Sequence, residues 1–128
     1  MNVIDEIKER LKKYPQVNYT ETDNFISVLP ASDKGFTVSL EINQDAFKVF
    51  YNGWHEDFDD EIKALNCFAF GLSAECRLKE FWRNGEPYKW TLEYKDGDYW
   101  TEDSTTGLFN VSFWQKQTIN YLQNDLIK

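Results

Sequence analysis

The sequence predicts an α+β fold in which helices pack on an antiparallel β-sheet. The first reason is residues 54–72, where apolar side chains recur at the spacing of a helix. The second is that the segments before and after this stretch alternate apolar and polar side chains, as half-buried strands do. The third is a helical pattern near each end of the chain. The predicted order is a helix, three or four strands, the central helix, two or three strands and a last helix, in one domain covering residues 1–128.

The charge of the chain limits the partners it can have. It carries 22 acidic and 14 basic side chains, a net charge of −8. Contact with phosphates or with an anionic membrane needs a basic surface, so we expect no nucleic acid and no membrane partner. A basic protein partner suits this charge. The first residues do not show the pattern of a signal peptide, and no apolar run approaches the roughly 20 residues that span a bilayer, so we expect a cytoplasmic protein.

The first helix is predicted over residues 3–13. Asn2 can cap its start, and Pro15 ends it because a proline disfavours helical backbone in the residue before it. Short strands are then predicted at residues 17–22, 25–30, 36–42 and 47–51, which are separated by turn-forming residues.

Cross-strand chemistry predicts the register of the last two of these strands. Leu40 opposite Val49 places apolar side chains on the core face and sets Glu41 against Lys48 on the other face. A slip of one residue would bury the Lys48 charge against Leu40, so the first register is favoured.

The central helix is predicted from about Asp57 to about Leu72. Its apolar positions are Phe58, Ile62, Leu65, Phe68, Ala69 and Leu72. Five of the six residues from Glu56 to Glu61 are acidic, and a helix N-terminus favours negative charge because its N–H groups are unpaired.

A second hairpin is predicted from residues 75–82 and 88–94. Leu78 opposite Leu92 and Arg77 opposite Glu93 match apolar and opposite-charge pairs at the same time. A two-residue turn at Asn84-Gly85 would set Leu78 opposite a threonine, so a loop of three or five residues is expected instead.

The end of the chain is predicted to contain one more strand and one more helix. A short third strand is expected at residues 98–101, with a polar loop at 102–107. The last helix is expected to start near Ser112, with Asn110 or Ser112 as its cap, and to run to about Leu126.

No catalytic residue, cofactor or metal site is predicted. His55, Glu56 and Cys76 are the set closest to a nucleophilic site, but Cys76 falls on the inferred core face of an acidic protein. Two cysteines and one histidine are too few for a structural zinc site, so both Cys67 and Cys76 are expected to be free buried thiols. The acidic run diverges along a helix and does not wrap one ion as a calcium loop does.

The candidate partner-binding residues are acidic and aromatic. The acids are either a solvated face or a docking patch for a basic partner, and large rings are enriched at protein interfaces. The predicted binding set is Trp54, Glu56, Asp57, Asp59, Asp60, Trp82 and Trp100.

The order of elements, the size and the acidity of the chain resemble those of the type III secretion chaperones, which are small acidic bacterial α+β proteins. The resemblance implies a surface of sheet and helix that holds an extended segment of a partner, in a protein that is often a homodimer. The predicted function is a non-enzymatic, cytosolic protein-binding module of this chaperone-like kind. An immunity-type inhibitor of a basic toxin domain is the alternative, and a small-ligand pocket protein or an enzyme is a more distant one.

Overall fold

The computed structural model describes residues 2–107 and 117–127, and the fold of these residues is α+β. The two helices are α1 (Val3–Leu11) and α2 (Glu61–Leu72). The strands before α2 are β1 (Tyr19–Glu21), β2 (Phe25–Val28), β3 (Val38–Asn43), β4 (Ala46–Tyr51) and β5 (Trp54–Phe58). Those after it are β6 (Cys76–Arg83), β7 (Glu86–Asp96), β8 (Tyr99–Gly107) and β9 (Thr118–Leu122).

The strands form two antiparallel sheets rather than the single predicted sheet. The first sheet is a meander in the order β1-β2-β3-β4-β5, and the second has the order β8-β7-β6-β9. In the first, Leu40 lies opposite Val49 and Glu41 opposite Lys48, which confirms the predicted register. The strands exceed the predicted number on both sides of α2, because β5 and β9 contain residues for which the sequence predicts helices.

The central helix starts at Glu61 and not at Asp57. Residues 54–58 instead form β5, whose Trp54 and Phe58 lie opposite Tyr51 and Phe47 of β4. Their alternation with polar neighbours fits a strand, and it overrides the helical pattern that includes Phe58. Ile62, one of the predicted apolar positions of this helix, is 69% exposed.

The second hairpin confirms the predicted register but not the predicted loop. Leu78 lies opposite Leu92 and Arg77 opposite Glu93, yet the turn is the two-residue Asn84-Gly85. A register shift between Phe81 and Trp82 makes both possible, since a β-bulge adds one residue to one strand. Both turn residues have positive φ, as a tight hairpin turn requires.

Two predictions for the end of the chain are wrong where the structure describes it. Residues 102–107 belong to β8 and not to a polar loop, and Thr91 and Thr105 bring their Oγ1 atoms within 2.8 Å across β7 and β8. Residues 118–122 form β9 along β6 and not a helix. The predicted helix start at residues 110–112 lies outside the described residues.

One buried cluster connects both helices and both sheets. It contains Ile7 of α1, Phe68 of α2, Leu40 of the first sheet, and Leu78 and Leu92 of the second. The sheets also meet where β5 approaches β8: the indole Nε1 of Trp54 donates to Ser104 Oγ at 3.0 Å. Neither helix in the described part of the chain is long and apolar enough to cross a membrane.

Candidate functional site

An open cleft of about 410 Å³ lies where the two sheets meet, and we call it the acidic cleft. Strand β5 and helix α2 form one side, and β7 and β8 form the other. The lining residues are Trp54, Glu56, Phe58, Asn66, Cys67, Phe70, Leu92, Tyr94 and Asp103.

Two carboxylates face each other in this cleft. Glu56 shares one face of β5 with Trp54 and Phe58, because side chains alternate along a strand. Asp103 is the additional residue at the bulge of β8, since Leu92 lies opposite Ser104 and Glu93 lies opposite Glu102. A bulge changes the direction of a side chain, and here it brings Asp103 into the cleft.

The pKa of Glu56 is raised above its ordinary value, first by partial burial and then by the negative charges of Asp103 and Asp57. Neither Glu56 nor Asp103 forms a salt bridge with another described residue, although Ser104 Oγ donates to Asp103 at 3.3 Å. The cleft therefore holds negative charge that lacks a cation within the described structure.

Aromatic side chains line much of the rest of the cleft, together with Asn66, Cys67 and Leu92. Phe58, Phe70 and Tyr94 are half-buried, so each still offers part of a ring to the cleft. Ile62 precedes Asn66 by one helical turn and extends the surface along α2. Rings beside carboxylates suit a guanidinium or ammonium group, which is attracted to both.

Of the predicted binding residues, Trp54 and Glu56 lie in this cleft. Trp54 is only 1% exposed and stacks on Tyr51 with ring centroids 4.6 Å apart. It is thus a core residue at the base of the cleft, and it does not offer an open ring to a partner.

The other predicted acids are dispersed and do not form one patch. Asp57 lies on the opposite face of β5, where its Oδ1 is 3.7 Å from Lys48 Nζ. Asp60 is the N-cap of α2, and its Oδ1 accepts from the backbone N–H groups of Ile62 and Lys63 at 2.9 and 3.4 Å. Asp59 is exposed between the strand and the helix. The prediction of an acidic helix start therefore holds for Asp60 and Glu61, but not for Glu56 and Asp57.

Trp82 and Trp100 lie in two further places. Trp82 donates its indole N–H to Glu80 at 2.8 Å, and Trp100 packs on the Arg77 guanidinium on the outer face of the second sheet. The seven predicted residues are thus not one site.

The two thiols are poor candidates for a nucleophile. Burial raises the pKa of Cys67 and of Cys76 to about 12, so both are protonated at neutral pH. Cys76 is fully buried, as predicted, and Cys67 is partly buried on α2. His55 lies exposed on β5, on the face opposite to Glu56, so it is not directed into the cleft with Glu56.

In the described ranges, no three His, Cys, Asp or Glu side chains lie close enough together to hold a metal ion.

The sequence prediction missed Asp103, Tyr94 and Phe70 as lining residues. The alternation of Trp54, Glu56 and Phe58 could have indicated that Glu56 faces inward. The position of Asp103 depends on a bulge in β8, and the residues around it carry no pattern that indicates one.

No protein-family model, curated protein or solved structure matches this chain.

Proposed function

We propose that this protein is a non-enzymatic, cytosolic protein-binding module whose acidic cleft receives a basic segment of a partner protein. The observation that carries the proposal is the opposition of Glu56 and Asp103 across a cleft with aromatic sides. An arginine or lysine of the partner would lie between the carboxylates and against the rings.

The electrostatics of Glu56 support this function. Its raised pKa means that the neighbouring acids and partial burial disfavour its ionised form. A cation placed beside it reverses that effect, so binding of a basic side chain relieves a repulsion already present in the free protein. Hydrogen bonds between ionised groups are also stronger than those between neutral ones.

Within this function, a chaperone-like role for an extended segment is the version we favour. The cleft is open, and its surface continues along α2 to Ile62, which is 69% exposed. An extended chain could place a basic side chain in the cleft and an apolar one against Ile62.

The second candidate is an immunity-type inhibitor of a basic toxin domain. The paired carboxylates favour it, because they could accept a single cationic side chain from the surface of a folded partner. A folded basic partner would lose affinity when either carboxylate is removed, whereas a holder of extended chains would also depend on Ile62.

A small-ligand role for the groove between the two helices has less support than peptide binding in the acidic cleft. An apolar groove between α1 and α2 is lined by Leu11, Leu65, Phe68 and neighbouring residues, and its volume is about 200 Å³. Pockets for drug-sized ligands usually measure roughly 300–1,000 Å³ and contain a few convergent polar groups.

The test is binding of a fluorescein-labelled peptide that alternates Arg and Tyr, followed by anisotropy. Glu56→Gln combined with Asp103→Asn should weaken binding by about tenfold or more, since the two charges that contact the cation are lost. The matched control is Glu75→Gln with Asp33→Asn, which removes the same charge from exposed positions outside the cleft.

The control should change the affinity by less than about twofold. Equal weakening by both double variants would refute the cleft as the binding site, because the peptide would then follow net charge alone. Ile62→Ser, tested with the same peptide, separates the extended-chain version from recognition of a single cation.

A further inference from the structure

The outer face of the second sheet concentrates positive charge on an acidic protein. Strand alternation puts Arg77 and Lys79 of β6 on this face, together with Lys89 and Lys95 of β7. The acids on the same face are Glu93 and Glu102, which lie opposite each other on β7 and β8, Glu75, whose backbone C=O accepts from the N–H of Lys95, and Glu86, which lies opposite Arg83. We call this surface the cationic face, and it is separate from the acidic cleft on the inner side.

Arg77 organises the centre of the cationic face. Its Nε lies 2.6 Å from Glu93 Oε1, and Glu93 is only 6% exposed. Its guanidinium carbon lies 4.4 Å from the ring centroid of Trp100 and 4.3 Å from that of Tyr121. Arg77 thus neutralises Glu93 and contacts one ring from each edge strand of the sheet. Its positive charge is therefore already paired within the protein.

The three lysines remain available for a ligand. Lys79 and Lys89 place their ammonium groups 5.1 and 4.1 Å from the ring centroid of Phe81, and Lys95 lies 5.9 Å from that of Trp100. None of the three forms a salt bridge with a described residue.

The face also offers apolar contacts and has a defined length. Ile119 and Tyr121 of β9 point to this side and are 38% and 50% exposed. Lys89 and Lys95 are six residues apart on β7, which corresponds to about 20 Å along an extended strand. The pattern is a short line of positive charge beside two exposed apolar side chains.

We propose that the cationic face binds a short acidic segment of a second protein, one that carries apolar residues between its carboxylates. Lys79, Lys89 and Lys95 would pair with the carboxylates, and Ile119 and Tyr121 would contact the apolar side chains. The protein would then bind partners of opposite charge on two different surfaces, and this binding does not depend on the function of the acidic cleft.

Charge favours a protein segment over single-stranded nucleic acid. The molecule carries −8 in total although this face is positive, so the surface beyond the face is strongly negative. Like charges repel each other over a Debye length of about 8 Å at physiological salt. The phosphates of a nucleic acid longer than the cationic face would therefore be repelled by the acidic surface around it. A short acidic segment fits within the positive area.

The experiment uses a fluorescein-labelled peptide that alternates Glu and Val, its Gln analogue, and a labelled oligothymidylate. The whole protein should bind the Glu peptide more tightly than the other two, and added salt should weaken that binding. The triple change Lys79→Gln, Lys89→Gln and Lys95→Gln should weaken it about tenfold, which is about 1.4 kcal/mol.

The matched control removes three exposed lysines from other surfaces, Lys13→Gln, Lys34→Gln and Lys63→Gln, and has the same net charge. It should leave the affinity within about twofold. Since Lys79 and Lys89 cover Phe81, the single change Lys95→Glu provides a second variant at an exposed position, and it should also weaken binding. Equal weakening by the control, equal binding of the Gln analogue, or tighter binding of the oligothymidylate would overturn the proposal.

Discussion

Glu80 is a buried carboxylate that connects the two sheets through neutral donors. It is 6% exposed, and its oxygens accept from the indole N–H groups of Trp82 at 2.8 Å and Trp90 at 2.7 Å. Asn52, in the turn between β4 and β5, adds a longer contact at 3.4 Å. A buried carboxylate without such donors would be strongly destabilising, so these three side chains are what permit Glu80 at a core position.

The change Glu80→Gln tests this arrangement at the level of one atom. Replacing one carboxylate oxygen with an NH₂ group sets a donor against an indole N–H, which leaves a buried donor unsatisfied. The expected loss in the free energy of unfolding is about 1–3 kcal/mol, measured by urea denaturation. Glu75→Gln, an exposed change of the same type, should cost less than about 0.5 kcal/mol. An unchanged free energy of unfolding for Glu80→Gln would show that the two indole N–H groups have other hydrogen-bond acceptors.

At the scale of elements, the start of α2 depends on one acid among several. Asp60 has extended backbone and caps the helix with its side chain, while Asp59 makes no such contact with the helix. Asp60→Ala should therefore lower the free energy of unfolding by about 1 kcal/mol, within a range of about 0.5–2. Asp59→Ala is the control and should change it by less than about 0.5 kcal/mol. Equal losses would mean that general acidity, and not the cap, supports the helix.

The elements that the sequence predicts best are those with strong local patterns. The β3–β4 and β6–β7 registers follow from matched apolar and charged pairs, and both are confirmed. The loop of the second hairpin is predicted wrongly because a regular ladder cannot satisfy both the Asn84-Gly85 turn and the pair of Leu78 with Leu92. A bulge resolves that conflict by adding one residue, and such a bulge depends on the packing of the whole hairpin.

The elements that the sequence predicts poorly have short or ambiguous patterns. Residues 118–122 contain Ile119, Tyr121 and Leu122, which fit a helical face as well as a strand, and the pairing with β6 decides between them. The same ambiguity makes the candidate site hard to predict from the sequence. Glu56 faces the cleft because β5 is a strand, and Asp103 joins it because of tertiary packing.

At the scale of the molecule, the two sheets are tied together by their shared interior. The ring of Tyr51, in the first sheet, lies so close over Gly71 of α2 that a side chain at position 71 would clash with it. The ring of Trp90, in the second sheet, packs in the same way against Gly53, which lies in the turn before β5. The contact of Trp90 with Gly53 joins the two sheets directly, and the contact of Tyr51 with Gly71 joins the first sheet to α2, so neither sheet can shift without displacing a close-packed ring.

The cooperativity of unfolding tests this shared interior. Leu78 is fully buried, and it lies opposite Leu92 on one side and Leu122 on the other. Leu78→Ala should reduce the free energy of unfolding by about 2–5 kcal/mol, because it removes buried methyl groups and leaves a cavity. The measurement is urea denaturation, with far-ultraviolet circular dichroism and tryptophan fluorescence recorded on the same samples. If one core joins both sheets, the two signals must shift together in a single transition, although the substitution lies in the second sheet alone. If the fluorescence and circular dichroism transitions of Leu78→Ala occur at different urea concentrations, the two sheets unfold independently. The control is Ile119→Ala, at a partly exposed position of the same sheet. It should neither lower the free energy of unfolding by a large amount nor separate the two transitions.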